Sequence, residues 1–255
     1  MDKRPVREFE VELPVGYVDE DGRQHRTATL RKMTGREEAL LADRKLRRNG
    51  GKLVTELLRN CLVRLGELEP VNRHMVAGLS SPDRNYLLLE LRKITFGQEL
   101  HATYTCPFCG ETSSVLEELD ELPVRRVNGS GPPEIVVELE DGYEDKEGFY
   151  TTMVFRLPTG VDEEKTASAM KENASLGMNA LLTRCLQGLG DMPANRREAL
   201  GTKILSDLAL GDRARIERTF RQEMPGADLS REIMCEDCGR KFQATLDLTS
   251  FFSLS

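Results

Sequence analysis

Four of the six cysteines belong to two copies of one short motif, Cys106-Pro107-Phe108-Cys109-Gly110 and Cys235-Glu236-Asp237-Cys238-Gly239. Two thiolates separated by two residues can bind one tetrahedral ion from a single tight turn, and the following glycine lets the backbone fold under the sulfurs. Two such pairs supply the four ligands of a structural metal site. We therefore predict a metal site formed by Cys106, Cys109, Cys235 and Cys238. Zinc is the expected ion, and iron or dithiol chemistry are the alternatives.

The spacing between the two motifs is unusual. Cys106 and Cys235 are 129 positions apart, whereas the two pairs of a compact zinc ribbon are about 15–20 residues apart. Either the fold brings the two pairs together, or each pair forms a separate, incomplete site. A four-thiolate site has no coordination position open for water or substrate, so we expect its role to be structural.

The remaining residues show no pattern of a reaction centre. The three histidines, His25, His74 and His101, form no specific triad with serine and aspartate, and no phosphate-binding loop or dinucleotide motif is present. Cys61 and Cys185 lie in leucine-rich stretches, and we interpret them as small buried apolar residues, with extra ligands or a disulfide as alternatives. The sequence therefore predicts no enzyme activity and no small-molecule substrate.

An internal repeat explains the long spacing. Segments of the first half recur in the second half in the same order, at offsets of 124 to 129 residues. Chance similarity would not keep that order. The matching pairs include Val11-Glu12-Leu13 with Val137-Glu138-Leu139, Gly16-Tyr17 with Gly142-Tyr143, Leu57-Leu58 with Leu181-Leu182, Cys61-Leu62 with Cys185-Leu186, and Asp83-Arg84 with Asp212-Arg213.

The sequence patterns of the two halves predict the same series of secondary-structure elements. An alternating segment, an acidic turn with glycine and a second strand predict a β-hairpin. Thr34 and Thr159 then precede acidic residues, as helix N-caps do. Helices follow, and each half ends with a strand, a cysteine motif and a strand. The predicted helices are 36–48, 51–65 and 82–95 in the first half, and 162–173, 177–189, 196–208 and 211–222 in the second.

These elements predict an α+β fold of two tandem homologous domains. Each domain has a β-hairpin, helices and a CxxC-bearing β-hairpin, and the two are joined at a shared pair of zinc knuckles. The 255 residues suit two domains of about 100–150 residues each. Residues 127–133 are rich in glycine and proline and have no helical or strand period. The predicted boundaries are 1–127 for the first domain, 128–133 for the linker and 134–255 for the second domain.

The amino-acid composition argues against two classes of binding partner, nucleic acids and membranes. The formal net charge is −7 and aromatic residues make up 5% of the chain, and both values argue against nucleic-acid binding. No stretch approaches the roughly 20 apolar residues that span a bilayer, so no membrane partner is expected. The thiols suggest synthesis in a reducing cytoplasm. The terminal segment 248–252 predicts either a strand packed on the core or a docking tail.

Three segments carry a resemblance to a known group of proteins. They are Leu13-Pro14-Val15-Gly16-Tyr17-Val18-Asp19, Met33-Thr34-Gly35-Arg36-Glu37-Glu38 and the first cysteine motif. The chain resembles tail-assembly and baseplate proteins of contractile-tailed phages and related contractile injection systems. The resemblance covers most of the first half and, through the repeat, the second half more loosely.

This resemblance implies a structural adaptor of the baseplate or hub that bridges neighbouring subunits. Its partners would be other baseplate, hub or tail-tube proteins. It would be found in the host cytoplasm during assembly, and in the virion tail if it is retained there. The alternatives are an assembly chaperone absent from the finished particle, a zinc-ribbon nucleic-acid module, or a thiol redox protein. The last is disfavoured because neither motif has a basic residue between its cysteines.

Overall fold

The computed structural model describes residues 7–129 and 131–246. In the first half a three-stranded antiparallel sheet and four helices precede a cysteine-bearing hairpin. The sheet consists of β1 (Glu8–Val18), β2 (Gln24–Arg31) and β3 (Leu62–Leu65), in that order. The helices are α1 (Gly35–Leu41), α2 (Gly50–Cys61), α3 (Arg73–Gly78) and α4 (Ser81–Phe96). The hairpin is β4 (Glu99–Thr105) with β5 (Thr112–Glu118), and a short strand, β6 (Val124–Arg125), follows.

The second half repeats this order with one more helix and with its short strand before, rather than after, the cysteine-bearing hairpin. Its three-stranded sheet consists of β7 (Glu134–Glu144), β8 (Phe149–Arg156) and β9 (Leu186–Leu189). The helices are α5 (Gly160–Glu172), α6 (Ala174–Cys185), α7 (Ala194–Leu200), α8 (Thr202–Asp207) and α9 (Leu210–Glu223). A short strand, β10 (Gly226–Ala227), pairs with β6, and β11 (Ser230–Met234) forms a hairpin with β12 (Lys241–Thr245). The described residues thus form a mixed α and β fold with nine helices and several small sheets.

The first hairpin of each half carries the same irregularity, and a buried aspartate holds it in both cases. The pairing shifts near the end of β1 and at the matching place in β7. The carboxylate of Asp83 accepts hydrogen bonds from the N–H groups of Val15 and Gly16 at 2.8 and 3.0 Å. The carboxylate of Asp212 accepts one from the N–H of Gly142 at 2.9 Å. Both aspartates are fully buried, so each fastens the start of a helix to its sheet.

The first helix of each half begins with a capping box. Thr34 is the N-cap of α1, and the carboxylate of Glu37 accepts hydrogen bonds from the Thr34 N–H and hydroxyl. Arg31 at the end of β2 forms an ion pair with the same carboxylate at 2.8 Å. The second half repeats this arrangement with Thr159, Asp162 and Arg156. Both N-caps are therefore as the sequence predicts.

The buried side chains of the described residues form three apolar clusters. One consists of first-half residues such as Leu30, Leu58 and Leu87. A second is formed almost entirely by the second half, around Phe155 and Leu189. The third is formed by both halves and surrounds the two cysteine-bearing hairpins. The halves are therefore joined by shared packing at the hairpins as well as by the linker.

A second contact between the halves lies where α5 crosses α2. A Cβ atom on Gly51 would lie 2.6 Å from the backbone N of Glu164, so only glycine permits this approach. The fully buried guanidinium of Arg84 pairs with Glu163 at 3.0 Å and donates hydrogen bonds to the carbonyls of Val76 and Gly51. This buried arginine is neutralised by a carboxylate from the other half.

Several element boundaries differ from the sequence prediction. The predicted helices 51–65 and 177–189 end at Cys61 and Cys185, and their last four residues form β3 and β9. The leucines there continue a helical spacing, but pairing with β2 and β8 satisfies the backbone instead. The predicted helix 36–48 ends at Leu41, and the predicted helix 196–208 is divided at Gly201, whose φ is +53°. The predicted terminal segment 248–252 lies outside the described residues.

In the described part of the chain, no helix is both long enough and apolar enough to cross a membrane.

Candidate metal centre

Each cysteine motif forms a tight turn at the tip of a hairpin. In the first, the Cys106 N–H donates to the carbonyl of Glu111 at 2.8 Å, and the Gly110 N–H donates to the carbonyl of Cys106 at 3.0 Å. The φ of Gly110 is +81°, a left-handed conformation that glycine adopts without strain. The second motif has the same two bonds, from Cys235 to Arg240 and from Gly239 to Cys235. The backbone thus turns each cysteine pair toward one point.

The two turns face each other, so that all four sulfurs meet. The Sγ atoms of Cys106 and Cys238 are 3.7 Å apart, and those of Cys109 and Cys235 are 3.6 Å apart. All four Sγ atoms lie within 4.8 Å of one another. The fold therefore brings together the four cysteines that the sequence singles out, and the alternative of two separate incomplete sites is wrong.

The sulfur geometry fits a tetrahedral thiolate site. A zinc ion with Zn–S bonds of about 2.3 Å places its sulfurs about 3.8 Å apart. The closest separations between motifs, 3.7 and 3.6 Å, are near this value. They are far longer than the roughly 2.05 Å of a disulfide. The residues present thus fit a metal ion of this class.

The electrostatics of the four thiols also point to a cation. Burial opposes ionisation of Cys106, but the N–H groups of Phe108 and Cys109 point at its sulfur and lower its pKa to about 7. The N–H of Glu111 favours the Cys109 thiolate, yet burial and the neighbouring sulfurs raise its pKa to about 12. Four thiolates this close repel one another, and a divalent cation would remove that repulsion.

The centre is covered on one side and open on the other. Cys106 and Cys235 are each 1% exposed and pack in the apolar cluster shared by both halves. Cys109 is exposed and Cys238 is partly exposed. The guanidinium of Arg240, the residue that follows the second motif, lies over the ring of Phe108 in the first motif, 5.1 Å from its centroid. The two tips therefore also touch outside the sulfur cluster.

Two comparisons with known proteins give no match, among curated proteins or among solved structures. A scan against protein families gives one. Residues 6–253 match the family described as T4 bacteriophage base plate protein. The chain belongs to this family. Membership supports a structural role in the baseplate, association with other baseplate proteins and a location in the virion tail.

This baseplate-family chain has a second link between its hairpins that the sequence did not indicate. The carboxylate of Glu117 on β5 accepts a hydrogen bond from the hydroxyl of Tyr104 at 2.6 Å and pairs with Arg231 on β11 at 2.8 Å. Glu117 is buried. Its negative charge is therefore compensated by an arginine from the other half. A lone glutamate in a strand carries no motif, and only its alternation with apolar residues could have placed it in the core.

The other residues considered in the sequence lie apart from the baseplate-family metal centre. His101 is an exposed residue of β4 and is not among the clustered ligands. Cys61 and Cys185 are buried at the ends of α2 and α6, and burial raises the pKa of each thiol to about 12. Among the described residues, neither contributes to the metal cluster, and both pack in apolar clusters as expected.

Proposed function

We propose that this protein is a structural adaptor of a phage tail baseplate or its hub. In this proposal it bridges neighbouring subunits, and a four-cysteine zinc site holds its halves together. The observation that carries the proposal is the sulfur cluster of a baseplate-family chain, to which each half contributes two ligands. A metal bound there cross-links positions far apart in sequence. The closed ligand set leaves no position for a substrate, so the proposal includes no enzyme activity.

The proposal also includes an internal duplication, with domains at 1–127 and 134–255 and a linker at 128–133. Four features recur at matching positions and support it: the order of the three-stranded sheet, the shift in the first hairpin, the buried aspartate and the capping box. Two homologous domains present related surfaces in two orientations. Such a chain is suited to contact two neighbours at once.

Metal analysis tests the zinc site. We expect the purified protein to contain one zinc ion per chain, and both Cys106→Ser and Cys235→Ser to lose it, because each removes one of four ligands. Cys61→Ser is the matched control: it also removes a buried thiol, but it leaves the cluster intact and should retain the metal. Metal content by plasma mass spectrometry, with thiol counting, provides the readout. Full zinc retention in either ligand variant would contradict the shared site, and bound iron would correct the identity of the ion.

Particle composition tests the adaptor role. We expect the protein to co-purify with assembled baseplates and finished tails in a fixed ratio to other baseplate proteins, and to remain bound through washes at high salt. A protein needed for tail assembly but missing from finished tails would be an assembly chaperone instead. A monomer with no affinity for baseplate or tail-tube components, and absent from particles, would overturn the proposal.

A further inference from the structure

The contact between the halves supplies a template for a second contact. The segment that leads into α5 pairs with the start of α4 through two backbone bonds. The Gly160 N–H donates to the carbonyl of Leu79 at 3.2 Å, and the Ser81 N–H donates to the carbonyl of Pro158 at 2.7 Å. A short extended segment and the helix that follows are thereby held against the first half.

Two side chains complete this template. The buried guanidinium of Arg84 forms an ion pair with Glu163 in the first turn of α5. A Cβ on Gly160 would lie 2.4 Å from the guanidinium of Arg84, so position 160 requires glycine. The template therefore consists of an arginine on one side, and a glycine and a glutamate three residues apart on the other.

The second half presents the matching arginine, and in the described residues its guanidinium donates to the side chains of Asn179 and Ser175 rather than to a carboxylate. Arg213 lies at the position of Arg84 and donates to the carbonyl of Leu205 at 2.9 Å, as Arg84 does to Val76. Among the described residues, no carboxylate lies within ion-pair distance of Arg213. Leu210 occupies the place of the buried Ser81, yet it is 82% exposed. An apolar side chain is thus left in solvent where the first half has a covered polar one.

The backbone beside this arginine also differs from the template. In the part of the chain that the structure describes, neither the carbonyl of Leu208 nor the N–H of Leu210 has a backbone partner. Their counterparts at Leu79 and Ser81 are both paired with the segment before α5. We name the surface formed by Leu208, Leu210 and Arg213 the tail surface.

The first half presents the matching glycine and glutamate, and among the described residues neither makes the contact of the template. Gly35 and Glu38 of α1 occupy the positions of Gly160 and Glu163, and both are exposed. A Cβ on Gly35 would meet nothing within 4 Å, so no contact in the described chain requires glycine there. In the described residues, the N–H of Gly35 and the carbonyl of Met33 have no hydrogen-bond partner. We name the segment 33–39 the head segment.

We propose that copies of this protein associate head to tail, with the head segment of one copy bound to the tail surface of the next. Glu38 pairs with Arg213, and Gly35 provides the room that the guanidinium needs. The Gly35 N–H and the Met33 carbonyl bond with Leu208 and Leu210. This inference rests on the duplication and the bridging role proposed above, and it names the second copy of the chain as one bridged neighbour.

Two differences from the template shape the contact. Ser175 stands where Gly51 permits the closest approach, so the docked helix lies farther out than α5 does. Ala39 stands where Glu164 bonds with Thr55, and its small side chain leaves space over the larger Asn179. An interface of this kind joins two different surfaces, and it therefore generates either a closed ring or an open filament.

The test uses two full-length variants and one control. Gly35→Leu fills the space needed by Arg213 and should disable the head segment. Leu210→Glu places a negative charge beside Glu38 and should disable the tail surface. Gly50→Leu is the matched control, because Gly50 is also the first residue of a helix with nothing within 4 Å of its Cβ. Thermal unfolding of each variant confirms that it remains folded.

Light scattering coupled to size exclusion, over a range of protein concentrations, measures the outcome. We expect the wild type and Gly50→Leu to associate beyond the dimer, and Gly35→Leu and Leu210→Glu each to remain monomeric. Mixing these two variants should restore dimers and nothing larger, because each supplies the surface that the other lacks.

Three results would overturn the proposal: a wild type that is monomeric at every concentration, variants that associate like the wild type, or a mixture that stays monomeric. None of them bears on whether the protein is found in tails, so the adaptor role stands or falls separately by particle composition.

Discussion

A single buried carboxylate shows how individual residues fasten the elements of this molecule. Glu37 is 1% exposed, and burial alone would favour its neutral form. The ion pair with Arg31 and the hydrogen bonds from Thr34 outweigh that effect and lower its pKa from 4.5 to about 2. The folded protein therefore stabilises the ionised carboxylate of Glu37 more than the unfolded chain does.

Stability should therefore fall in acid. The unfolded Glu37 takes up its proton near pH 4.5 and the folded one near pH 2, so acidification across that window favours the unfolded chain. The contribution at neutral pH is up to about 3 kcal/mol, at 1.36 kcal/mol per pKa unit. Urea unfolding from pH 7 down to pH 3 measures the loss, and Glu37→Gln should show a weaker pH dependence. An equally steep dependence in that variant would assign the effect to other carboxylates.

At this scale the sequence predicted the residues that carry a motif and missed those that do not. The four clustered cysteines were found because their spacing and glycines have few other uses. Asp83 and Asp212 were recognised as a repeated pair, but nothing in the sequence shows that they bind backbone groups near residues 15 and 142. Such bonds join residues about 70 positions apart, and no local pattern encodes them.

At the scale of elements, the contact between α2 and α5 depends on the absence of one side chain. We expect Gly51→Ala to destabilise the protein by about 1–3 kcal/mol, because its Cβ would force α5 outward. Gly50→Ala, the neighbouring control, should be neutral or slightly stabilising, since nothing lies near it. Chemical denaturation of both variants measures the difference. Equal stabilities would show that α5 can move without cost.

Hairpins and helix starts were predictable at this scale, and helix ends were less so. Thr34 and Thr159 mark helix starts through local hydrogen bonds, which the sequence encodes directly. The strands β3 and β9 were not predicted, because the leucines at 62 and 65 also suit a helix face. Only pairing with a distant strand makes the chain leave the helix there, and that is a tertiary effect.

At the scale of the whole molecule, the described residues join the halves in two places besides the linker: at the cysteine-bearing hairpins and between α2 and α5. We therefore expect the halves to stay together when the linker is cut. A protease site placed within residues 128–133 and then cleaved should leave two fragments that co-elute while metal is bound. Adding a strong chelator should weaken their association, because it removes the cross-link at the cysteines. Size exclusion with and without chelator is the measurement, and separation of metal-loaded fragments would contradict it.

The ordered matches in the sequence predict two equivalent halves, but they do not predict how the halves pack against each other. The helix α5 lies on the first half, whereas the outward face of α1 remains exposed. Among the described residues, the close contact between α2 and α5 has no equivalent at Gly35 of α1, where a Cβ atom would meet nothing within 4 Å. No periodicity in the sequence distinguishes the face of α5 that is buried from the face of α1 that is exposed.

The four clustered cysteines come from two motifs that are synthesised at different times. A ribosome completes the first motif 129 residues before it completes the second, so the nascent chain carries the first two thiols without the second two while the residues between the motifs are made. Neighbouring nascent chains on one messenger carry the same unfinished pair. A metal held between two first motifs would trap two incomplete chains together. Formation of a four-cysteine site within one chain would therefore require that the first two thiols remain unbound until the second motif of the same chain emerges.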